Sequence, residues 1–104
     1  MTIRTTTRNA TMIARAIKGN EDFTTSGALR GEANPRWIDT GRMSQEDAKR
    51  MHTADALMVV DYVIYSYGTP IAYRYNGKWT IPDAKYSVTT SKHQGTIRYA
   101  LRLV

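Results

Sequence analysis

Apolar positions recur along this chain with recognisable periods, and those periods locate its elements. Ala10, Ile13, Ala14 and Ile17 fall at i, i+3, i+4 and i+7, the stripe of one helix face. Asn9 can cap that helix and Gly19 stands where a terminating glycine belongs, so the spacing predicts a helix over 10–18. Residues 1–8, polar and threonine-rich, read as extended or frayed. From Gly19 to Gly41 small polar residues dominate, with Phe23, Leu29, Trp37 and Ile38 as separate apolar anchors. That pattern predicts a long loop pinned at those points, with a short strand around Ala28–Arg30.

Ser44 followed by Asp47 resembles a capping box and opens a second helix, 45–54. Met51, Ala54 and Met58 mark its buried side, with His52 at the rim. Residues 57–67 (LMVVDYVIYSY) are apolar on both faces except for Asp61, which predicts a central strand. Gly68-Thr69-Pro70 ends it, and Ile71–Tyr75 and Lys78–Ile81 then flank Asn76-Gly77, a strong hairpin signal. A two-residue loop would pair Arg74 with Trp79 and leave both hairpin faces mixed. A three-residue loop pairs Tyr73 with Trp79 and gathers Ile71, Tyr73, Trp79 and Ile81 on one face, so the apolar pattern selects it. Pro82-Asp83 turns the chain, Tyr86–Val88 reads as a short edge strand, and Thr90 or Ser91 caps a last helix over 91–102. The expected fold is α+β: a three-stranded antiparallel meander (57–67, 71–75, 78–81) with three helices packed mainly on one face, one domain over 1–104. Its open edge would allow a homodimer through 57–67 or 78–81.

Composition narrows the chemistry. The 104 residues contain no cysteine, which removes disulfides, zinc–thiolate sites and cysteine nucleophiles. No apolar run approaches the roughly 18 residues of a membrane span, and MTIRTTTRNATM lacks the apolar core of a secretory signal. A soluble protein of the cytoplasm is expected. The net charge of +6 is unevenly placed. Arg4, Arg8, Arg15 and Lys18 occupy residues 1–20 without an acid, and Lys85, Lys92, Arg98 and Arg102 occupy residues 84–104 without one. If the two basic ends meet, they form a surface for an anionic partner.

The residues able to do chemistry are few. His93, His52, Thr89, Thr90, Ser91 and Asp61 are the candidates for catalysis. Ser91 and His93 cannot face each other on a helix, because i and i+2 point about 200° apart. His93 lies on the apolar stripe with Ile97, Ala100, Leu101 and Val104, and reads as a packed histidine bonded to a strand or loop. Two histidines and scattered carboxylates give no metal-ligand spacing, so neither metal nor cofactor is expected and no catalytic residue is assigned. Binding is better represented. Arg98 and Arg102 lie one turn apart, and Lys92 with the N–H groups near Ser91 marks the same helix's positive end. Arg74 and Lys78 add two cations on the polar face of the hairpin. Arg98 and Arg102 equally complement the negative end of a helix, which needs no ligand. The tyrosines can pack a sheet, stack on single-stranded bases or anchor a protein interface. No glycine-rich phosphate loop, helix-turn-helix pattern or zinc-finger spacing occurs.

YSYGTPIAY at 65–73, KWTIP at 78–82 and KYSVTTSKHQ at 85–94, with TGRM and GALRG upstream, resemble a family of small proteins from bacteriophages of actinobacteria. The resemblance implies a non-structural accessory protein working in the host cytoplasm, and it lends no activity and no catalytic residues. The expected function is therefore non-catalytic binding of a host protein. A nucleic-acid binder using the basic ends and exposed tyrosines is the second reading, predicting affinity that falls steeply with salt.

Overall fold

In the computed structural model, which describes residues 2–56, 60–82 and 87–104, nine elements run β1 (Thr2–Thr5), α1 (Ala10–Lys18), β2 (Asp22–Thr25), β3 (Leu29–Ala33), α2 (Gln45–Ala56), β4 (Val60–Ser66), β5 (Thr69–Tyr75), β6 (Lys78–Thr80) and α3 (Val88–Arg102). The six strands form one sheet in chain order. β1 and β2 are parallel, joined through α1, and every other neighbouring pair is antiparallel. The expected three-stranded meander is therefore the second half of a six-stranded mixed sheet. β1 is the extended part of residues 1–8, β3 enlarges the short strand expected around Ala28–Arg30, and β2 falls where a loop was expected.

α1 follows from its stripe. Ala10, Ile13, Ala14, Ala16 and Ile17 are buried, and Asn9 Oδ1 accepts the Met12 N–H at 3.1 Å. Each buried isoleucine contributes roughly 2 kcal/mol of hydrophobic stabilisation. The helix ends differently from expectation. Gly19 keeps right-handed backbone angles, and the left-handed residue is Asn20 at φ 53°. α2 starts behind Ser44, whose Oγ accepts the Asp47 N–H at 3.1 Å, and it buries Met51 while His52 stays exposed.

The sheet is covered on both faces, which corrects the expected placement of the helices on one. α1 and α3 share a core with Phe23, Leu29, Tyr62, Ile64, Ile71 and Ala72. On the opposite face, α2 and the segment 34–44 pack Met51, Ile38 and Met43 against Val60, Val63, Tyr65 and Tyr73. The split follows β4, where Tyr62 and Ile64 alternate with Val63 and Tyr65.

The hairpin register also differs from expectation. Tyr75 pairs with Lys78, Arg74 with Trp79 and Tyr73 with Thr80, around a two-residue turn with Asn76 at φ 50° and Gly77 at φ 77°. The supposedly mixed face is satisfied by Arg74, whose guanidinium lies over the Tyr62 and Trp79 rings, 5.8 Å from each centroid. Tyr67-Gly68 turns β4 into β5 in the same left-handed fashion, so β5 begins at Thr69 rather than Ile71. α3 begins one turn early. Ser87 is its cap, with its Oγ accepting the Thr90 N–H at 3.1 Å, and Val88 is helical rather than part of an edge strand. The expected strand residues 57–59, including Met58, the Ala54 side chain and Tyr86 lie outside the described residues.

Candidate functional site

Cations of the two basic ends stand on neighbouring helices, Arg15 and Lys18 on α1 and Lys92, Arg98 and Arg102 on α3, while Lys85 lies outside the described residues. α1 and α3 pack side by side on one sheet face, and neither helix contains an acid. A groove of about 330 Å³ runs between them, lined by Thr11, Ala14, Arg15, Lys18 and Leu103. Its floor is apolar, from Ala14 and Leu103, and Arg15 and Lys18 stand on its rim. Tyr99 on α3 is 57% exposed, and Leu103 and Val104 continue the apolar surface at 39% and 50%.

The six sequence-predicted residues divide. Ser91, Lys92, Arg98 and Arg102 are all exposed on α3. Arg74 is not available, because its Nε donates to Asp61 Oδ1 at 2.6 Å and its Nη2 to Asn20 Oδ1 at 2.8 Å. Lys78 is exposed on β6 opposite Tyr75, away from any partnership with Arg74. The free N–H groups expected near Ser91 lie just ahead of it. The Ser91 N–H bonds the Ser87 carbonyl at 2.9 Å, so the N–H groups without an intrahelical acceptor are those of Val88 and Thr89.

A second concavity, of about 250 Å³, lies where the β4–β5 turn, the first turn of α3 and Arg42 converge. Ser66, Thr69 and Thr90 supply buried hydroxyls to its wall, and Tyr67 and Ser87 supply exposed ones. The hydroxyls form a chain: Ser87 Oγ donates to Thr90 Oγ1 at 3.1 Å, Thr90 Oγ1 lies 3.2 Å from Ser66 Oγ, and Ser66 Oγ lies 2.8 Å from His93 Nδ1. Burial lowers the His93 pKa from its ordinary value, and a neutral ring can accept from Ser66. Thus the histidine is packed and bonded to a strand, as its position on the apolar stripe implied. Tyr67 stacks on it with ring centroids 6.1 Å apart, while held at φ 52°, an uncommon conformation for a bulky residue.

Arg42 is fixed in this cleft by backbone. Its N–H donates to Thr69 Oγ1 at 2.8 Å. The preceding Gly41 lies at φ 53°, and a Cβ there would overlap the Thr69 hydroxyl and stand 2.7 Å from the Gly68 carbonyl. Only glycine fits that approach. The cleft draws on three separate segments, so no local spacing could have announced it. The one sequence signal was the polar SVTTSKHQ run, which marks the capped start of α3.

The burial of Tyr62, Tyr65 and Tyr73 under the two helical layers removes them from any exposed aromatic platform. Desolvation by burial raises the Tyr62 hydroxyl well above the ordinary range and Tyr65 to about 12, and raises Tyr73 as well. Among the described residues no helix is long and apolar enough to cross a membrane.

Fold and surface together define a small α+β protein with a helical face rich in cations and a hydroxyl-lined cleft at the start of α3. The chain belongs to a family of unknown function, DUF8033, whose model matches residues 1–101. Comparison with curated proteins and with solved structures gives no match.

Proposed function

We propose that this chain is a non-catalytic binding protein that takes an acidic protein partner on the α1/α3 face. The observation that carries the reading is the groove lined by Ala14 and Leu103 with Arg15 and Lys18 at its edge. An apolar strip bordered by cations suits a partner segment that offers both an apolar anchor and carboxylates. Arg98, Tyr99 and Arg102 are exposed on α3, and arginine and tyrosine are enriched at protein interfaces. The resemblance to phage accessory proteins supports a host protein as the partner. Non-catalytic action is supported by the Ser66–His93 pair, since Ser66 is only 1% exposed and Nδ1, rather than the outer nitrogen, faces it.

The test compares capture from host lysate by the wild type and by an Arg15→Glu/Lys18→Glu variant. A protein with an acidic surface retained by the first and lost with the second is the expected result. Retention of the same proteins by both would overturn the reading. So would salt-sensitive shifting of DNA or RNA by the wild type with no protein captured, because that outcome assigns the cations to phosphates.

A further inference from the structure

We propose that the cleft between Arg42 and the first turn of α3 is a binding site for a phosphate group. It is distinct from the helical groove, and its chemistry differs. Arg42, Ser66, Tyr67, Thr69, Ser87 and Thr90 line it, so one arginine and five hydroxyl-bearing residues surround a concavity of about 250 Å³. No carboxylate is among those residues. Asp39, three residues before Arg42, accepts the Gly41 N–H at 2.9 Å and lines another concavity.

Three features distinguish this arrangement from a solvated surface arginine. First, Arg42 is placed by a contact that admits only glycine at position 41, and among the described residues its guanidinium has no ion-pair partner. Second, Thr69 is 3% exposed in the cleft wall, and its Oγ1 accepts the Arg42 N–H. A hydroxyl that accepts one hydrogen bond can still donate one to a ligand oxygen. Third, the 15-residue α3 brings its positive end to the same place, with the Val88 and Thr89 N–H groups unused inside the helix. The volume suits a phosphate or a phosphorylated side chain and is too small for a nucleotide. A phosphate oxygen would take the Thr69 proton, a second would meet Arg42, and Ser87 could turn from Thr90 toward a third.

Backbone amide shifts of the full chain, titrated at constant ionic strength with inorganic phosphate and separately with O-phosphoserine, test the site. The Arg42, Thr69, Val88 and Thr89 amides should move together and saturate. Saturation by inorganic phosphate alone identifies a free-anion site, and tighter binding of phosphoserine identifies a phosphorylated side chain; either supports the proposal. Arg42→Ala should weaken binding by about tenfold, as loss of a charge-assisted contact does. Arg42→Lys should fall between, and Lys49→Ala on the exposed side of α2 should match the wild type. The amide spectrum reports directly whether each variant is folded. Unsaturating shifts spread over α1 and α3, or wild-type affinity in Arg42→Ala, would overturn the proposal.

Discussion

Arg74 Nε donates to Asp61 Oδ1 at 2.6 Å, and that one bond joins a bulge in β4 to the adjacent strand β5. Asp61 is the extra residue between the Val60–Tyr75 and Tyr62–Arg74 pairs. From there the guanidinium reaches Asn20 behind α1 and covers the Tyr62 and Trp79 rings. Arg74→Ala should cost about 1–3 kcal/mol in urea unfolding, more than an exposed ion pair alone would. Arg74→Lys should recover less than half of that loss. A lysine cannot stack and satisfy both oxygens at once. A loss within a few tenths of a kcal/mol of zero for Arg74→Ala would show the contacts to be energetically idle.

Two glycines should respond to alanine with opposite signs. Gly41→Ala puts a Cβ against Thr69 at a left-handed φ, and a loss of about 1–3 kcal/mol is expected. Gly95 lies inside α3 with nothing within 4 Å of the position a Cβ would take. Gly95→Ala should therefore stabilise by about 0.5–1 kcal/mol through helix propensity and unfolded-chain entropy. Thermal midpoints of the two variants check both signs.

What could be read in advance was whatever is specified locally. α1, with Asn9 as its cap, and α2 behind Ser44 are each determined by about a dozen contiguous residues. β1 and β2 were not legible, because TIRT and DFTT carry one apolar residue each and show no alternation. Their identity as strands comes from partners: Ile3 opposite Phe23, and Phe23 opposite Gly31, where any Cβ would overlap the Phe23 ring. The β5–β6 register was misjudged because Arg74 was counted as polar surface, while in the fold its planar head covers aromatic rings. The basic helical face was half visible: the charges were evident from composition, but the groove between Arg15, Lys18 and Leu103 exists only when α1 meets α3.

Tyr67 offers a test of strain at the cleft. It occupies the first central position of a two-residue turn at φ 52° and is 63% exposed. A non-glycine residue there costs about 1–2 kcal/mol, and asparagine tolerates the conformation best among side-chain-bearing residues. Stacking on His93 returns only part of that cost. Tyr67→Asn should raise stability by up to about 1 kcal/mol. If the variant instead unfolds at lower denaturant, the ring's packing on His93 outweighs the backbone strain.

Acid should weaken the fold through His93. Its ring is buried against Ser66, and desolvation lowers its pKa below the unfolded value of 6.5. The unfolded chain then binds the proton first, so stability rises with pH wherever the unfolded imidazole is protonated and the folded one is not. The contribution is complete above about pH 6.5 and is lost as pH falls below it toward the depressed folded pKa. Urea midpoints of the wild type should therefore drop between pH 7.5 and pH 5. His93→Gln can keep a hydrogen bond to Ser66 without a titrating group, and its drop over the same range should be smaller. All other residues are the same in both proteins, so the difference between the two curves isolates His93. Parallel curves would mean that the imidazole is protonated as readily in the folded protein as in the unfolded chain.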